Sequence, residues 1–225
     1  MPLWDSADLL ARCKRYAARP PLDAQMTDAD WYALLSEAQH HWFGVFAAHV
    51  PHVLWSAPVR MTTPDGGQTY EIPGLTGYPL AIEIRESRTG RLLLPGAEWD
   101  WCADFTPEGA RIRIPNGQSR TFGDGPYARY IEVPPEISDT VQPKLEPPYA
   151  RILLVYHALA KWASIGGWQN PAYWEREEQK AAWGDPETGQ LGIVPVLKEQ
   201  WQQMGTDTMR ARGQVPWWRV PELAR

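Results

Sequence analysis

The apolar residues of this chain change their spacing twice, and the change fixes the order in which any fold must be assembled. Up to Pro51 they recur every three or four residues, as on one face of a helix. Over residues 53–133 they alternate in short runs broken by turn residues, as in strands. Beyond a proline-rich connector at 134–148 the helical spacing returns. The expected class is therefore α+β, a helical bundle from the N- and C-terminal helices with an inserted antiparallel β-hairpin subdomain. The expected divisions are N-terminal helices of the bundle at 1–51, the β-rich insertion at 52–135, C-terminal helices at 136–205 and an extended C-terminal arm at 206–225.

Local signals sharpen the elements. Residues 5–18 read as a helix capped by Ser6, with Leu9, Leu10, Cys13, Tyr16 and Ala17 at helical spacing. A second helix starts at Thr27, with Asp30 completing a capping box. Trp31, Leu34, Leu35, Ala38, Trp42, Val45 and Phe46 form its apolar stripe, and Pro51 ends it. Three hairpins are expected, joining 59–63 to 69–73 through Pro64-Asp-Gly-Gly, 80–85 to 91–95, and 101–105 to 110–114. A last strand covers 127–133. The helix from Tyr149 to Ser164 is apolar on nearly every face, which suits a central position. Asn170 and Pro171 then supply an N-cap and a proline at N1, with Glu175, Glu177 and Glu178 expected to favour the helix dipole. The final helix, Val194 to Met204, carries Leu197, Trp201 and Met204 on one face and is expected to end near Gly205.

Composition narrows the function. The formal net charge of -5 opposes a surface that grips nucleic acid throughout, though DNA could slide past it. No apolar run is long enough for a bilayer, and the first residues do not read as a signal peptide. Cys13 and Cys102 form no C-x-x-C pair, so free, mostly buried thiols are expected. The 13 Trp and 22 Pro stand out, and suggest an interaction protein with long connections. The same tryptophan content would suit a carbohydrate-binding or carbohydrate-active protein.

Chemistry-bearing groups are sparse. His40, His41, His49 and His52 lie close together, without an H-E-x-x-H motif, and read as polar-face and helix-end histidines. Gly66-Gly67-Gln68 reads as turn chemistry. Glu98, Asp100 and Asp104 alternate with Trp99, Trp101 and Phe105, which fits a strand with one wet face and one aromatic face. His157, alone on the most apolar helix, is expected to be a hydrogen-bonded core or interface histidine. No catalytic, cofactor or metal residues are assigned, and the chain is expected not to be an enzyme.

Four stretches carry a family resemblance. T-D-A-D-W-Y-A-L-L-S-E-A-Q, from Thr27 to Gln39, resembles the early segment of tailed-bacteriophage head-to-tail adaptor (connector) proteins. There a capped helix has the form D-x-x-x-x-x-L-N-E-A-Q. R-I-L-L-V-Y-H-A-L-A from Arg151 to Ala160, G-G-W-Q-N-P-A-Y from Gly166 to Tyr173, and W-G-D-P-E-T-G-Q-L-G from Trp183 to Gly192 resemble that family's C-terminal helices. Together they make up 41 of the 225 residues. Ser36, Trp168 and Asn170 depart from the pattern, at positions of packing and capping.

The resemblance implies a structural virion protein at the head-tail interface, assembled from the host cytoplasm. It implies a ring, dodecameric in most such proteins, bound to the portal protein above and to a stopper or tail protein below. DNA would pass through the lumen without specific binding. No membrane contact, cofactor or catalysis is implied. Within the arm, Arg210, Arg212, Trp217, Trp218 and Arg219 are the expected portal-binding residues, because Trp and Arg dominate interface hot spots.

Overall fold

A computed structural model describes residues 4–18, 26–63, 68–75, 77–88, 91–93, 101–106, 109–114, 125–167 and 169–211, with 204–211 as backbone alone. Helices and antiparallel sheets are both present, an α+β combination. The chain divides into two compact units. One is built from the described residues of Met1–Leu54 and Pro134–Arg225, the other from those of Trp55–Val133. No described helix is long and apolar enough to cross a membrane.

The first unit begins with α1 (Ser6–Ala17) and α2 (Asp28–His49). Asp5, rather than the expected Ser6, caps α1, its carboxylate accepting from the Asp8 N–H at 2.8 Å. Ser6 is buried instead, its N–H donating to Gln142 Oε1 at 3.0 Å. The Thr27–Asp30 capping box is present in full. Trp31, Leu35, Ala38, Trp42 and Phe46 bury the stripe of α2. The central helix α3 (Ile152–Ser164) packs against α1, α2 and α4 (Pro171–Trp183). That is why its apolar residues, from Leu153 to Ala163, surround it rather than form one stripe. Asn170 caps α4 by accepting from the Ala172 N–H.

A two-stranded hairpin follows, β8 (Gly184–Asp185) and β9 (Gln190–Leu191). Gly184 has φ +110, and a Cβ there would lie 2.5 Å from the Gln190 carbonyl oxygen, so only glycine fits the crossing. The last helix, α5 (Ile193–Ala211), runs past the expected end at Gly205 and takes in the first residues of the expected extended arm. A single internal glycine costs about 1 kcal/mol relative to alanine, and the turns on either side suffice to carry the helix through. Trp201, expected on the buried face with Leu197, is exposed and stacks on His52 at 4.5 Å.

The connector between the units' strands and α3 has almost no regular structure, yet α2 holds it. Gln39, fully buried, donates through Nε2 to the Pro135 carbonyl and accepts the Lys144 N–H at Oε1, both at 2.7 Å. Ser36 Oγ accepts the Ile137 N–H at 2.9 Å. Buried peptide groups outside helices and sheets need such partners.

The second unit contains β1 (Val59–Arg60), β2 (Thr69–Glu71), β3 (Ala81–Arg85), β4 (Leu92–Leu93), β5 (Cys102–Thr106), β6 (Gly109–Arg113) and β7 (Tyr127–Ile131). Two sheets run β1-β7-β3-β4 and β2-β6-β5. The expected second and third hairpins are the β3–β4 and β5–β6 pairs. The expected first hairpin is reduced to one bridge, Thr62 with Glu71. β1 pairs with β7, and β2 with β6. The two strands of that pair serve different sheets because one apolar core, including Tyr70, Ile84, Ile112 and Tyr130, is shared by residues of both.

Candidate functional site

Among the described residues, a cluster of titratable side chains joins α2, α3 and α4. On α2, Glu37 and His41 are one turn apart and share a face. On α3, His157 and Lys161 have the same spacing. Lys161 Nζ pairs with Glu37 at 2.7 Å, and the His41 and His157 rings stack with centroids 4.6 Å apart. Below them Glu178 of α4 is buried, with 7 % exposure. Its Oε1 lies 2.8 Å from His157 Nδ1 and accepts the Trp42 indole N–H at 2.7 Å. A carboxylate removed from water needs donors of this kind.

The electrostatics follow from these neighbours. Lys161 first, then the two imidazoles, hold the Glu37 carboxyl below its ordinary range. Partial burial first, then the adjacent His157, lowers the pKa of His41 and favours its neutral ring. One potential ligand atom each from His41, His157 and Glu178 lies within 4.8 Å of the other two.

The structure brings together residues that sequence reading kept apart. In sequence His41 stands with His40, His49 and His52, but in the fold its ring stacks on His157. Glu178, expected to favour the helix dipole, lies mid-helix, and the first turn of α4 holds no acidic residue. The missed signal was an acidic residue among the apolar positions of α4, at helical spacing from Trp174 and Ala182. The other histidines stay apart. His40 Nε2 lies 3.1 Å from the Pro134 carbonyl, His49 meets the edge of Trp183, and His52 covers Trp201.

A second feature is a groove of about 670 Å³ where α2 meets the connector. Asp28, Glu37, Glu136 and Asp139 give its wall an acidic character, and Ser36 and His40 also face it.

The remaining candidates are dispersed. Asp104 lies on the exposed face of β5, in register with Arg111 of β6, which in turn faces Glu71 of β2. Opposite charges in that register stabilise a wet sheet face. Trp101 is buried, and its indole donates to the Leu93 carbonyl at 2.8 Å. Glu98, Trp99, Asp100, Gly66 and Gly67 lie outside the described residues. Cys13 is buried, which pushes its thiol pKa up, and Cys102 is half-buried; both are free. Trp31, Trp42, Trp162 and Trp174 are core residues of the helical unit rather than a line on a sheet face. Of the expected portal-binding residues, Arg210 falls in the backbone-only end of α5. Arg212, Trp217, Trp218 and Arg219 lie outside the described residues. No family model matches the chain, and no curated protein matches it.

Proposed function

We propose that this protein is a structural adaptor of a tailed-bacteriophage virion, a ring subunit that joins the portal to the stopper or tail and continues the DNA channel. In this reading the helices from both ends form one bundle, and the β unit is an insertion. The observation that carries it is where the resembling stretches fall. They are scattered from Thr27 to Gly192, yet all lie in one compact unit.

There their side chains serve architecture. In L-S-E-A-Q, Leu35 and Ala38 are core, Ser36 and Gln39 hold the connector, and Glu37 pairs with Lys161. Serine at 36 keeps a hydrogen-bonding side chain where the family pattern has asparagine. In W-G-D-P-E-T-G-Q-L-G, Asp185 accepts the Glu187 N–H and pairs with Lys180, and Gly184 and Gly192 allow backbones to cross. Residues with these roles build a scaffold rather than a reaction centre.

Large apolar side chains on the same unit remain exposed, among them Ile165, Tyr173, Trp183 and Leu191. Such surfaces suit assembly. Head-to-tail contacts close into a ring, and many weak contacts become cooperative once a circular template fixes them. The protein is therefore expected to be monomeric or weakly associated alone and ring-forming on its portal.

The test mixes the full chain with purified portal rings and follows sedimentation and electron microscopy. A ring of copies on one face of the portal is the expected result. A rigid dimer with a large apolar interface, or no association with portal at micromolar concentration, overturns the reading. Truncation after Ala211 leaves α5 whole and removes Arg212, Trp217, Trp218 and Arg219. Portal binding should be lost with the melting temperature unchanged. A truncated chain that unfolds would place the arm in the core instead.

A further inference from the structure

We propose that His41, His157 and Glu178 form a binding site for one divalent transition-metal ion of the zinc type, clamping α2, α3 and α4 together. This departs from the sequence reading, which assigned no metal ligands. It is independent of the adaptor reading, and a failed portal assay would leave it standing.

The donor set selects the ion. Two imidazole nitrogens and one carboxylate oxygen suit zinc and its neighbours, whereas magnesium and calcium favour all-oxygen surroundings. One ligand comes from each of three helices, so the ion would bridge elements rather than decorate one.

The distances are close to those required. A tetrahedral ion with bonds of about 2.0–2.1 Å holds its ligand atoms about 3.3 Å apart. His157 Nδ1 and Glu178 Oε1 are 2.8 Å apart, and all three ligand atoms lie within 4.8 Å of one another. The pair on α3 and α4 therefore opens by about half an ångström as the metal replaces the shared proton. His41 must move more. A metal lies in the plane of an imidazole that binds it, and the two rings now stack at 21°. His41 stands at the exposed end of the cluster and has room to turn.

The surroundings support the site. The Trp42 N–H already orients the Glu178 carboxylate, as outer hydrogen bonds do for metal-bound carboxylates. Glu37 is engaged by Lys161, which leaves the fourth position for water.

The experiment uses the full chain, stripped with a chelator and titrated with Zn²⁺ by calorimetry and with Co²⁺ by visible absorption. One Zn²⁺ per chain is expected, with a melting temperature raised by Zn²⁺ and not by Mg²⁺. Co²⁺ should give the intense bands of a four-coordinate ion. His41→Ala, at the exposed ligand, should weaken Zn²⁺ binding tenfold or more and abolish those bands. His49→Ala should leave both unchanged. His157→Gln keeps a donor towards Glu178, and should lose the ion while retaining the fold. Equal Zn²⁺ affinity in the wild type and His41→Ala overturns the proposal. So does the absence of binding at micromolar Zn²⁺. If His41→Ala does not fold, the wild-type Co²⁺ spectrum decides, and weak six-coordinate bands reject the site.

Discussion

The two units reach a defined core by different means. In the helical unit, polar side chains reach across long stretches of chain and fix a segment that has no repeating hydrogen bonds of its own. Gln39 binds the backbone of Pro135 and Lys144, and Arg151 Nε donates to the Leu145 carbonyl. In the β unit the strands are two to five residues long, and its buried core is almost wholly apolar, with Ile84, Ile112 and Ile114 fully enclosed. There the ladders satisfy most of the strand backbone, side chains such as Trp101 add single hydrogen bonds, and period-two alternation sorts the side chains of β6, where Ala110 and Ile112 are buried while Arg111 and Arg113 are exposed. The difference shows where specificity resides. A unit that encloses irregular chain depends on individual buried polar groups, and a unit made of ladders depends on pattern.

The largest effect should come from Trp42→Ala. Trp42 is 1 % exposed and supplies a donor to buried Glu178. The loss of packing and of that donor should cost about 4 kcal/mol in denaturant unfolding followed by helix signal. Trp42→Phe should recover much of the packing and still cost about 1–2 kcal/mol, because Glu178 loses its partner. Equal stability of Trp42→Phe and wild type would show that the polar link is dispensable.

Gln39→Ala comes next, at about 2 kcal/mol, since the Pro135 carbonyl and the Lys144 N–H lose together the buried side chain that holds them. Hydrogen exchange at Lys144 should rise most, because its N–H loses the Gln39 acceptor. A cost under about 1 kcal/mol would mean that the connector is held without Gln39, and the contrast between the units would weaken.

In the β unit, Ile112→Val should cost about 1 kcal/mol, the ordinary effect of one buried methylene. Faster exchange should be confined to β5, β6 and β2. A loss of several kcal/mol would show that this core depends on exact fit as much as the helical one does.

The smallest effect concerns the Gly184–Leu191 hairpin. Lys180 first, then the Glu187 N–H, hold the Asp185 carboxyl below its ordinary range. A lowered folded pKa means that the folded state holds fewer protons than the unfolded chain. The contribution is full above the unfolded value of about 4 and is lost as pH falls through the folded value. Asp185→Asn should therefore lower stability slightly at pH 7, where the contribution is full, and flatten the acid limb, so that the two profiles converge at low pH. An unchanged acid limb would remove Asp185 as a contributor.

The sequence by itself determined what depends on neighbours a few residues apart. The Thr27–Asp30 box, the Asn170–Pro171 start of α4, the stripe of α2 and the alternation of β6 follow from rules of local geometry, and could be read directly. The boundaries that failed were also local, but balanced. Asp5 competed with Ser6 as a cap, and Gly205 was too weak a stop for a helix that continued on both sides. What only the tertiary structure decided lies between residues distant in sequence. β1 passes over the nearby 69–71 strand to pair with β7, because shared burial outweighs a short turn. His157 meets Glu178 across 21 residues, and Trp42 meets it across 136. No periodicity encodes such a meeting. It arises when three helices are packed and a buried carboxylate must find its donors among the side chains they bring.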